Sequence, residues 1–222
     1  MKKLSSPIDL IKRSVDIFSK KKNLIFFLEI YLLILPFSVF SVVQNFVPAL
    51  QNLQLTYSWQ LGLNLLLNVG YLLVSALVGV SVISSFRTVL GNEKLSVIEA
   101  LRKSCAKYWW PYFLLTIVVA IITGLGFVLL IVPGVLFLTW FSFARFILVE
   151  KGSKIKESLV TSRNLVKGKF WKIFGRLIVF GVFELVVEFI FSTIPYGIGT
   201  IFTGFLGALF ILPPYLLYKE LE

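Results

Sequence analysis

From Trp110 to Val149 the chain runs about forty residues with a single charge, Arg145. Roughly 20 apolar residues in a helix already cross the ~30 Å hydrocarbon core of a bilayer, so this run holds enough for two spans joined by a very tight turn. The break falls between Gly124-Leu-Gly126 and Pro133-Gly134, and Pro133 is either the turn itself or a kink in the later span. The rest of the chain has the same grain. Apolar runs at about 24–43, 61–86, 110–130, 132–149, 171–191 and 198–218 predict six transmembrane helices in one integral membrane domain, an all-α polytopic fold. Pro36 falls inside the first span, Pro213-Pro214 disturbs the last, and Ile194-Pro195-Tyr196-Gly197 reads as a turn.

Composition decides what the basic residues are for. A net charge of +11 and a pI near 9.8 would suit nucleic acid, but 58% of the residues are hydrophobic and mean hydropathy is +0.91. Soluble domains hold roughly 45–50%. The cations sit between apolar runs too long for a globular core, which points to anionic lipid headgroups as their partner and away from nucleic acid. About 23 mostly polar and basic residues precede the first apolar run, with no small-residue cleavage pattern close behind, so that run is expected to be retained as a span.

Between the spans lie three basic, helix-patterned stretches, at about 7–20, 96–108 and 154–168. In the first, Ser6 can cap, Pro7 suits the opening position, and Ile8, Ile11, Val15 and Phe18 recur on one face. In the second, Ser96 and Glu99 have the form of a capping box, followed by Ile98, Leu101, Cys105 and Tyr108. Such helices lie at the membrane interface. Set on Ser14, Ser104 and Ser162 they align without gaps, with Asp9, Glu99 and Glu157 five positions earlier; the alignment suggests a threefold repeat of surface helix plus hairpin. Each serine falls on the apolar face, where a small side chain lets another helix approach.

The charge count fixes the expected orientation. Residues 1–23 hold 7 Lys and Arg, residues 86–110 hold 5, residues 150–172 hold 7, and the end of the chain holds Lys219; Arg145 and Arg176 are the remaining two. The connections on the other side hold none, so both termini and both basic loops are expected to be cytoplasmic, in the plasma membrane of a bacterium.

The segments Ile131-Val-Pro-Gly134, Phe143-Ala-Arg145, Leu148-Val-Glu150, Glu157-Ser-Leu159, Ser162 and Leu165-Val-Lys-Gly168 resemble the membrane domain associated with some glycerophosphoryl diester phosphodiesterases, and related stand-alone six-span proteins. The resemblance is strongest over 127–180, and Ser158 stands where the usual run has Ala. In that family the phosphodiesterase chemistry belongs to a separate soluble barrel. This chain has neither the length nor a single His for it, and the activity does not carry over.

Direct chemical signals are few. Cys105 is alone, no phosphate-binding glycine loop follows a strand, and neither Ser nor Cys has a histidine base, so the reading is non-enzymatic with no cofactor and no metal. Charges within apolar runs are the remaining pointers, because each is costly in lipid unless paired or hydrated. Glu29, Arg145 and Arg176 share a depth about five or six residues from the cytoplasmic side and are expected to form an ion-pair layer, the alternative being arginines that snorkel to headgroups. Glu184 and Glu188 sit one turn apart and deeper, opposite Asn64 and Asn68 on the second span, which suggests an intramembrane polar cluster.

Two functional readings follow. One is an accessory or interaction domain whose basic collar binds anionic lipid, a membrane protein partner or a second copy. The other is a small transporter or channel built on the Glu/Asn cluster.

Overall fold

The computed structural model describes residues 4–32, 35, 57–90, 97–194 and 198–222, and among them every regular element is an α-helix. The helices are α1 (Pro7–Ser19), α2 (Lys21–Leu32), α3 (Tyr57–Leu90), α4 (Val97–Leu129), α5 (Ile131–Phe141), α6 (Ala144–Lys151), α7 (Ile155–Val166), α8 (Phe170–Ser192) and α9 (Ile198–Leu221). The second half of the first expected span, the connection after it, Ser96 of the expected capping box and the Pro195–Gly197 turn lie outside the described residues.

α1 begins as its residues dictate, with Ser6 Oγ accepting from the Asp9 N–H at 3.1 Å and Pro7 in the first turn. Its buried face differs from the expected one. Leu10, Ser14 and Phe18 are buried while Ile8 and Val15 face outward, because α1 packs its stripe on α9, α2 and α8 rather than on open membrane. α7 does likewise, burying Ser158, Ser162 and Val166.

The second basic stretch is not a separate surface helix. It continues without a break through Pro111 into the third apolar run as the 33-residue α4. Pro111 forfeits one backbone bond; packing of the following turns on α3 and α6 keeps the helix going. At the far end the turn is Leu130 alone (φ −163°, ψ 150°), and Pro133 sits in the first turn of α5, where its missing N–H costs nothing. The fourth apolar run is itself divided at Ser142–Phe143 into α5 and α6. Gly152, at φ 62°, then closes α6 with its N–H on the Leu148 carbonyl.

Among the described residues, three stretches are long and apolar enough to cross a membrane: Lys107–Leu129, Ile131–Lys151 and Ile201–Leu221. Burial is graded along the long helices. α3 buries Ala76 and Val80–Phe86 and exposes Leu65, Leu66, Val69 and Leu72; α4 buries Tyr112 and Leu115 and exposes Ile117, Ile121 and Leu125; α9 exposes Phe202 and buries Ala208, Leu209, Leu212 and Tyr215–Tyr218. The interior core therefore gathers where the cations are, around α6, whose Ala144 and Phe146–Val149 are sealed by neighbours on all sides. The other ends carry bare aliphatic surface, as lipid-facing helices do.

Candidate functional site

Where α6 and α9 finish, side chains from four helices close on one another. Glu150 ends α6 with its carboxylate only 7% exposed, and one oxygen accepts from Tyr215 Oη while the other accepts from Lys219 Nζ. Tyr215 and Lys219 are one turn apart on α9, so a single helical face supplies both donors. Lys219 also reaches Glu222 at 3.2 Å, and Lys151 reaches the other Glu222 oxygen at 3.0 Å. Glu220 accepts the Ser5 N–H at 3.0 Å and faces Arg13 of α1 at 3.6 Å. Arg176 of α8 closes the group, donating to the carbonyls of Ser5 at 3.0 Å, Leu4 at 3.2 Å and Lys172 at 2.7 Å.

Beneath this polar clasp lies an aromatic stack: Tyr215 against Phe86 at 4.9 Å and Phe146 at 5.5 Å, Tyr218 against Phe146 at 5.9 Å, with the Lys219 ammonium 5.4 Å from the Tyr218 ring. Partial burial works to raise the Glu222 carboxyl, but the hydrogen bonds and charges of Lys151 and Lys219 outweigh it and hold the group below its ordinary value. Acids and bases are matched across the clasp. It has the chemistry of a fastening.

α7 contributes a second fastening. The break at Ser142–Phe143 frees the Trp140 carbonyl from the helical ladder, and the fully buried Ser162 donates its hydroxyl to it at 2.6 Å. Arg163, the next residue, places its guanidinium 4.7 Å from the Trp140 ring.

The structure places the described residues singled out from sequence as follows. Arg176 fills its guanidinium with backbone carbonyls, Glu29 is exposed on α2, and Arg145 is exposed beside the Phe146 ring; among the described residues no ion pair joins Glu29 to either arginine. Glu184 and Glu188 lie on the outer face of α8, which packs on α9, α5 and α1; α3 is not among the helices α8 packs extensively against. Asn64 and Asn68 belong to α3, but their side chains lie outside the described residues. An open groove beside Glu188 is lined by Val182, Leu185, Val186, Phe189 and Ser192. Among the described residues no three His, Cys, Asp or Glu side chains converge as metal ligands.

Sequence reasoning passed over Glu150, Tyr215, Lys219 and Glu222. Their only sequence signal is position: each stands at or beside the last turn of an apolar run, with Tyr215 and Lys219 at helical spacing.

Residues 35–212 match the family model described as "Uncharacterised protein family (UPF0259)". No curated protein and no solved structure matches the chain.

Proposed function

The chain belongs to this uncharacterised family (UPF0259), and because that membership brings no activity with it, we propose from the geometry that the protein is a non-enzymatic, multi-pass accessory protein of a bacterial plasma membrane. Its cationic end faces the cytoplasm and engages anionic lipid headgroups. Six apolar passes enter the membrane in this reading, with both termini and both basic loops on the cytoplasmic side. The observation that carries it is how α1 and α7 divide their surfaces. Both bury small and apolar side chains against protein, Leu10, Ser14 and Phe18 on α1 and Ser158, Ser162 and Val166 on α7, and beside the outward Ile8, Val15 and Val160 they expose charge: Lys12 on α1, and Lys156 and Lys167 at α7, are exposed and in no ion pair among the described residues. Free cations at headgroup level contribute on the order of 1 kcal/mol each toward anionic lipid. The resemblance to the membrane domain that accompanies phosphodiesterase barrels supports an accessory role beside another protein's chemistry.

The test is lipid selection. Protein reconstituted in nanodiscs of mixed phosphatidylglycerol and phosphatidylcholine should retain phosphatidylglycerol preferentially, less so at high salt, and a Lys12→Gln/Lys156→Gln/Lys167→Gln variant should lose the preference. Equal retention of both lipids by the unaltered protein refutes the reading.

A transport reading rests on Glu188 lining an open groove on α8, with Glu184 one turn away on the same exposed face. It requires that Glu184→Gln/Glu188→Gln abolish a pH-dependent ion flux in proteoliposomes; a flux unchanged by the double substitution removes it.

A further inference from the structure

The two arms of the central hairpin are each long enough to cross a bilayer, but the charges around them are not placed for two crossings. α7 exposes Lys156, Glu157, Arg163 and, just past its end, Lys167, a density of charge that keeps a helix out of hydrocarbon. Ser162 and Arg163 grip Trp140 through its carbonyl and its ring. Trp140 is therefore held at headgroup depth, where an indole is also at home. From Trp140 to the turn at Leu130 is ten residues, ~15 Å at the helical rise and about half the ~30 Å hydrocarbon core.

The other arm agrees. On α4 the described buried positions stop at Leu115, apart from Gly126 at the arm contact, and the outward-facing Ile117, Ile121 and Leu125 follow, so the turns from Tyr108 to Leu115 belong to the packed end and only ~20 Å projects beyond them. Arg145, which looked from sequence like a charge inside a span, lies on the headgroup side of Trp140.

The tip is built for hydrocarbon. Between Leu125 and Leu138 no side chain is polar, and Val128 to Val132 are 68–83% exposed. Its irregular backbone is a single residue: the Leu130 N–H donates to the Gly126 carbonyl at 3.0 Å, the Leu130 carbonyl accepts from Gly134 at 3.4 Å, and Pro133 brings no donor. The arms meet closely at Gly126 and Gly134, where a Cβ on Gly126 would come 2.9 Å from the Gly134 Cα.

We propose that the α4–α5 hairpin enters the membrane from the cationic side, turns at Leu130 among the acyl chains near the bilayer midplane and returns to the side it came from. Its partner is the hydrocarbon of one leaflet, and the protein crosses the membrane fully through its other apolar helices. Only the name of that side rests on the cytoplasmic placement above.

In a Cys105→Ser background, single cysteines are introduced as Leu130→Cys, Gln51→Cys and Lys154→Cys in the full chain, expressed in cells and in sealed inverted vesicles. Leu130→Cys is expected to stay at the cysteine-free background with a membrane-impermeant maleimide from either side, and to react once the membrane is dissolved. A nitroxide at position 130 should report high oxygen and low nickel-chelate accessibility, at midplane depth. Labelling at 130 from either aqueous side, or a nitroxide at headgroup depth, overturns the proposal. Gln51→Cys and Lys154→Cys report the sidedness separately; if they label from the sides opposite to those expected, the cytoplasmic reading fails while the depth at 130 still stands or falls by itself.

Discussion

Glu150 is the residue on which the charged end of the molecule turns. Replacing it by Gln keeps the volume and one acceptor but leaves Lys219 facing a neutral amide, and a hydrogen bond to a charged group is worth about 1.5–3 kcal/mol. Glu150→Gln should therefore lower the unfolding free energy in a fixed detergent by about 1–3 kcal/mol, and Tyr215→Phe by less, both read from thermal or denaturant unfolding. The two losses should not add, because both report on one carboxylate. Glu222 gives the clasp a pH dependence. Its carboxyl is held below the ordinary 4.5 in the folded state, so the unfolded chain takes up the proton first. The stability it supplies is complete above about pH 4.5 and drains away as pH falls through the lower folded value. Glu222→Gln should flatten that part of the stability profile and leave neutral pH less stable. None of this was legible beforehand, since Glu150 and Lys219 are 69 positions apart and nothing local links them. What could be read was Ser14 and Ser162: a small polar residue recurring on an apolar face signals close packing, and both are fully buried.

At the scale of elements, periodicity served well where a helix meets the rest along one stripe and poorly where a run is apolar all round. The bounds of α7, α8 and α9 follow the sequence closely because glycines and basic residues punctuate them. The α5–α6 break was invisible, since no residue between Phe137 and Phe146 is a strong breaker and the contact made there, from Ser162 to the Trp140 carbonyl, comes from another helix. Among the described residues no ion pair joins Glu29 to Arg145 or Arg176, for a related reason. Shared depth is readable from sequence, but which way each helix turns is not, and carbonyls of the N-terminal segment took up Arg176. The hairpin contact offers a sharp test. A Cβ at position 134 would lie 2.5 Å from the Phe127 ring, so Gly134→Val should cost about 1–3 kcal/mol by overpacking, and adding Phe127→Ala should recover part of it in a double-mutant cycle of unfolding.

For the whole molecule, the count of cations gave the asymmetry of the chain, and the structure adds where the packing is. One end is a sealed core fastened by acids and bases; the other is bare aliphatic helix. In the proposed orientation both basic loops share a side, so a protease or lysine reagent should reach Lys94 and Lys154 from one face of sealed vesicles and neither from the other. The contact between Ser162 and Trp140 has an outcome in time: the Trp140 carbonyl leaves the ribosome more than twenty residues before the hydroxyl that reaches it, so this fastening closes only once α7 has been made.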